Sequence, residues 1–198
     1  KSGFWLKGAL WLGLTIAFKG YAIFLLPTFF MYLYSKMRMS SALIMCALSL
    51  APFLCSLVIV FIFSGYEGLI FPFRFHAIRE INPDSTYQLI RFYLGYDLKA
   101  SEMSYIPIGL QISCALLGVA FRPKSFQQLV NCFAFVILGF ITFSVFYSPQ
   151  FLLWLLPILC YSDSQRIKAA LFIYALITMG YLVVIAMPII SIYKLLIT

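Results

Sequence analysis

Long apolar runs occupy 42–64, 105–121, 127–147 and 169–193 of this chain, each near the roughly 20 residues that a helix needs to cross a bilayer. The opening stretch, 4–35, is long enough for two short helices broken near Lys19 and Gly20, or for one long helix that carries Lys19 within it. A shorter apolar segment, 149–161, begins at Ser148-Pro149 and needs tilt or a re-entrant path to fit. The pattern predicts an all-α fold, a polytopic transmembrane helical bundle in one integral membrane domain over 1–198.

One stretch breaks the pattern. Between 67 and 102 lie Glu67, Glu80, Asp84, Asp97, Glu102 and the only histidine, His76. The surrounding 65–104 segment is still too apolar for a free loop, since Phe71, Phe73, Phe75, Ile78, Ile81, Leu89, Ile90, Phe92 and Leu94 run through it. An interfacial amphipathic helical segment accounts for both properties. Asn82 can cap free amide groups, Pro83 suits a first helical position and Gly95 a helix end, which predicts a helix over about 83–94 along the membrane surface. A shorter helix from Pro72 to Ile81 would bring His76, Arg79 and Glu80 near one another.

Composition agrees with a membrane protein: 64% hydrophobic, 10% charged, mean hydropathy +1.01. A soluble domain carries about 25% charged residues. The net charge of +8 does not indicate nucleic acid, because most lysines and arginines cluster between apolar runs, as cytoplasmic loops do. Lys36 with Arg38, Arg122 with Lys124, and Arg166 with Lys168 can share the cytoplasmic side. The 65–104 segment and the Ser148-Pro149-Gln150 turn then fall on the opposite, outer face. Cys46, Cys55, Cys114, Cys132 and Cys160 lie in or beside apolar runs without metal-ligand spacing, and read as small buried hydrophobes.

Candidate chemistry is sparse. Lys19 stands among apolar residues and either snorkels from a helix end or offers its ammonium to an anionic headgroup. Arg74, Arg79 and Arg91 lie in the outer segment, where the positive-inside rule gives them no topological purpose; ion pairing with the neighbouring acids is the simple explanation. Arginine also suits a lipid phosphate, and Arg79 has His76 three residues before it and Ser85 six after. No paired-carboxylate motif marks a catalytic base. Interhelical hydrogen bonding accounts for Gln111 and Asn131.

Three stretches together resemble the GT-C membrane glycosyltransferases, polytopic enzymes that use polyprenyl-phosphate sugars. Phe18-Lys19-Gly20-Tyr21-Ala22-Ile23-Phe24-Leu25-Leu26-Pro27 is similar to their lysine-tyrosine-leucine-proline stretch, with Ala22 where proline is usual. Ser148-Pro149-Gln150-Phe151-Leu152-Leu153-Trp154-Leu155-Leu156-Pro157 resembles their SPQ stretch. His76-x-x-Arg79 followed by Ser85-x-Tyr87 is similar to the outer-loop pattern of the mannosyltransferase branches. The resemblance runs from about 8 to 160 and corresponds to the C-terminal half of such enzymes.

It implies transfer of a sugar, mannose by the loop pattern, from a polyprenyl-phosphate donor to a hydroxyl acceptor on the outer face. Lys19, Arg79 and His76 would hold the donor phosphate, with Gln150 and Ser85 in support. The family's essential aspartate lies in an early outer loop, and no acid precedes Lys19 here. The catalytic base is therefore expected upstream of Lys1, in a longer chain of which this is the C-terminal part, in preference to a base from another subunit or a loss of activity. No cofactor is fixed, and a divalent cation is left open.

Two other functions fit the apolar helices. A non-catalytic membrane subunit or scaffold explains the missing base, and a lipid or solute transporter would need repeat symmetry and several mid-membrane ionisable groups, for which only Lys19 qualifies. The expected partners are donor, acceptor, membrane lipid and a further protein subunit, with no nucleic acid. Absence of an endoplasmic-reticulum retention signal favours the bacterial inner membrane, with the endoplasmic reticulum as the alternative.

Overall fold

The computed structural model describes residues 2–77, 85, 87, 90, 93, 95, 100–145, 151–161, 165, 168, 169, 172, 173 and 176. Among them there is no strand, and the fold is helical as the apolar runs predict. The chain divides into two compact units, Lys1–Tyr147 and Ser148–Thr198.

The opening stretch of the first unit is a hairpin of two short helices rather than one long helix. Helix α1 (Ser2–Phe18) ends where Lys19 leaves helical geometry at φ −139° and ψ 88°. The Lys19 N–H still donates to the Thr15 carbonyl at 2.8 Å, and its own carbonyl accepts from the Ala22 N–H at 2.9 Å. A 3-10 segment, Gly20–Leu25, leads into α2 (Leu26–Tyr34). Pro27 has no N–H to give the Ile23 carbonyl, which the Leu26 N–H takes instead in the tighter i→i−3 pattern. Pro27 then occupies the first turn of α2, where a missing N–H costs no intrahelical bond.

Each arm of the hairpin rises about 25 Å, from helical rise per residue. The Trp5 and Tyr32 rings, 5.6 Å apart, join the arms at the end away from Lys19. The arms are antiparallel.

Helix α3 (Met39–Ala77) is the longest, at 39 residues. Gly65 kinks it at φ 63° and ψ −165°, so a first limb closely matches the apolar run 42–64 and a second limb follows at once. Pro72 lies inside that second limb and does not open a separate helix, because helical geometry resumes directly after Gly65. Helix α4 (Ala100–Ala120) starts within the segment expected to be interfacial. Arg122 takes a left-handed φ of 47° and Pro123 follows, so α4 cannot continue.

Ser125 and Gln128 form a reciprocal capping box that opens α5 (Phe126–Thr142). Tyr87, Ile90 and Tyr93 are helical, as expected for 83–94, most of which lies outside the described residues.

Small residues set the helix contacts. A β-carbon on Gly13 of α1 would come within 2.5 Å of the Ser49 carbonyl oxygen and 3.0 Å of the Pro52 ring in α3. On Gly118 of α4 it would stand 2.5 Å from Thr28 Oγ1 in α2 and 2.8 Å from Val136 in α5. Gly139 of α5 meets Cys114 of α4 in the same way. The Thr28 hydroxyl is buried there without a hydrogen-bond partner among the described residues. Cys46, Cys114 and Cys132 are buried as expected, whereas Cys55 is exposed, because it lies where α3 is losing its cover.

Among the described residues one helical stretch, Met39–Pro72, is long and apolar enough to cross a membrane. Phe4–Phe18, Gly20–Tyr34, Tyr105–Ala120 and Phe126–Thr142 are shorter apolar helices. In the second unit, α6 (Phe151–Tyr161) buries Phe151, Leu155 and Ile158 on one face, and the Phe151 and Trp154 rings pack 4.2 Å apart. Ala169, Phe172, Ile173 and Leu176 are helical, and the remainder of the 169–193 run lies outside the described residues.

Candidate functional site

The tip of the α1–α2 hairpin exposes Lys19. Two residues on, the Tyr21 ring packs against Phe140 of α5 at 5.1 Å, and Phe24 reaches the same ring at 5.6 Å. Phe140 belongs to the last turn of α5, where carbonyl groups have no further helical N–H to accept from.

Donors from elsewhere in the chain meet them. Gln111 Nε2 donates to the Phe140 carbonyl at 3.3 Å and to the Phe143 carbonyl at 3.4 Å. The Tyr87 hydroxyl donates to the Phe143 carbonyl at 3.2 Å. Gln111 therefore does bridge helices, as its sequence context suggests. These bonds also explain why α5 ends at Thr142, short of the apolar run's end at 147: side chains satisfy its terminal carbonyls without further helix.

Tyr87 is 3% exposed, and burial pushes its phenol up to about 12. Ser85, two residues earlier, is also buried. The Ser85-x-Tyr87 stretch is thereby tied to the end of the unit that carries Lys19, through Phe143 on one side and the Tyr21–Phe140 ring pair on the other.

The opposite end of this unit is marked by Ser35, whose Oγ donates to the Tyr32 carbonyl at 2.7 Å and reaches the Pro123 carbonyl at 3.5 Å. Lys36 with Arg38 and Arg122 with Lys124 meet there, as the sequence predicts for two of its three basic clusters. Arg166 lies outside the described residues, and Lys168 belongs to the second unit.

The remaining sequence candidates separate. His76 sits near the end of the second limb of α3, with helical backbone. Arg79 and Gln150 lie outside the described residues. Arg74 pairs with Glu67 at 2.9 Å across two helical turns, both side chains exposed, which fits the simple ion-pair explanation and contributes little stability. Among the described residues no three His, Cys, Asp or Glu side chains come together to hold a metal ion.

Chemically, Lys19 carries an exposed ammonium two residues before Tyr21, whose ring packs on Phe140. Gln111 and Tyr87 already bond backbone carbonyls and serve to hold segments together. Their shared target was not readable in sequence, because Gln111 and Tyr87 stand 32 and 56 residues from Phe143. The only signal was a polar side chain in each of two apolar surroundings. No protein family, curated protein or solved structure matches this chain.

Proposed function

We propose that the chain is a multi-pass integral membrane protein and the donor-binding part of a GT-C-like glycosyltransferase, moving a sugar from a polyprenyl phosphate to a hydroxyl acceptor. The observation that carries this reading is the exposure of Lys19 at a hairpin tip, at the same end as Ser85-x-Tyr87 and opposite the basic turn. Further support for several crossings comes from the apolar helices of similar rise, about 25 Å each for the hairpin arms and α5, near the thickness of a hydrocarbon core.

In this reading the donor's prenyl tail stays among the apolar helices while its phosphate stands at the membrane surface. The Lys19 ammonium and the Arg79 guanidinium offset the negative charge that grows on the departing phosphate, with His76 second to them and Ser85 in support. A carboxylate takes the acceptor proton as the hydroxyl oxygen attacks the anomeric carbon, and it is left unassigned.

The test is transfer from a polyprenyl-phosphate mannose by the full-length protein and by Lys19→Ala and Arg79→Ala, with helical content checked by circular dichroism. Each variant is expected to lose about 100-fold or more in rate while staying folded. Wild-type rates in both would sink the phosphate site. A non-catalytic subunit would show no transfer in any form, and would be disturbed only by changes to helix packing.

A further inference from the structure

Five cations gather at the end of the first unit opposite Lys19. The contact between Ser35 Oγ and the Pro123 carbonyl at 3.5 Å brings together the turn holding Lys36 and Arg38 and the loop holding Arg122 and Lys124. Lys7 joins them, because it follows Trp5 by two residues, about 3 Å along the α1 axis, and Trp5 packs on Tyr32 at 5.6 Å. All five are exposed. No aspartate or glutamate occurs in 1–66 or 103–162, and among the described residues none of the five is paired with a carboxylate.

The same end carries large aromatic side chains turned outward: Phe4 at 69%, Phe121 at 63% and Tyr34 at 51% exposure. A soluble polyanion would answer the charges and leave these rings in water. Phosphate headgroups above an acyl layer answer both, with cations at headgroup level and rings at the boundary below.

We propose that this end is a docking surface for the headgroups of anionic phospholipids, engaged by Lys7, Lys36, Arg38, Arg122 and Lys124. The proposal rests on the multi-pass membrane reading above and is independent of sugar transfer.

The experiment reconstitutes the full chain in phosphatidylcholine vesicles containing trace spin-labelled phosphatidylglycerol or spin-labelled phosphatidylcholine, and measures the motionally restricted fraction of each. Phosphatidylglycerol should associate at least about threefold more strongly at low salt, and the preference should fall towards parity in about 1 M salt, where charges are screened beyond a few ångströms. A variant combining Lys36→Gln, Arg38→Gln, Arg122→Gln and Lys124→Gln should restrict as much lipid in total with no preference. Equal association of the two labels with the wild-type protein, or a preference indifferent to salt, overturns the headgroup site alone. Absence of any restricted lipid overturns the membrane reading and the docking surface together.

Discussion

The two halves of the first limb of α3 are both apolar but are covered differently: the lower half has one buried face, and the upper half has no fully buried residue. In the lower half, Ala42, Cys46 and Ser49 follow one another at helical spacing and are covered, with Ser49 at 0% exposure. In the upper half, Leu54, Val58, Ile59, Phe61, Ile62 and Phe63 are exposed, with Phe63 at 84%. The buried face of the lower half is made of small residues. Small residues opposite Gly13 let two backbones approach, whereas bulky side chains all round a helix present hydrocarbon to whatever surrounds it.

The sharpest way to break this comparison is Gly13→Leu, whose side chain would have to enter the space of the Ser49 carbonyl and the Pro52 ring. It should cost about 3 kcal/mol or more, measured as unfolding in detergent. A cost below that of Phe63→Ala would show that size at the contact does not govern α3 packing.

Tyr87→Phe tests a contact made by hydrogen bonding instead of close approach, and should cost about 1 kcal/mol. Its pH dependence has a definite sign. The folded phenol is pushed up to about 12 from the ordinary 10.0, so the folded state holds its proton more tightly. That contribution is complete below pH 10 and fades as pH rises towards 12. Unfolding followed across this window should show a shallower loss in Tyr87→Phe than in wild type. An unchanged slope would mean that the phenol is not desolvated.

Phe63→Ala completes the series with the smallest effect, within about 0.5 kcal/mol in the same detergent unfolding assay. A loss of several kcal/mol would show that the upper half of α3 is covered by protein.

Much of the helical layout was legible because apolar run length constrains it directly. The run boundaries at 64 and 127 fall close to the Gly65 kink and the Ser125 cap, neither of which the sequence reading singled out. The Lys19 break was left open between two geometries, and the structure has two short helices, with Pro27 denying Ile23 its usual partner where α2 begins. The end of α5 was misjudged because its terminal carbonyls are answered by Gln111 and Tyr87, which no local pattern connects to Phe143. For the site, sequence nominated Lys19 and Ser85, and the fold brings their two stretches to one end. Arg79 and Gln150, outside the described residues, remain nominations from sequence alone.

Gly65 has a mechanical consequence for the long helix. At φ 63° and ψ −165° it occupies backbone territory that glycine alone enters at little cost. Torsion or axial load applied to the limb that bears Glu67, Arg74 and His76 is not passed through a continuous ladder of hydrogen bonds to the limb packed on α1. The two limbs are joined by a pivot, and a side chain at that pivot would be strained.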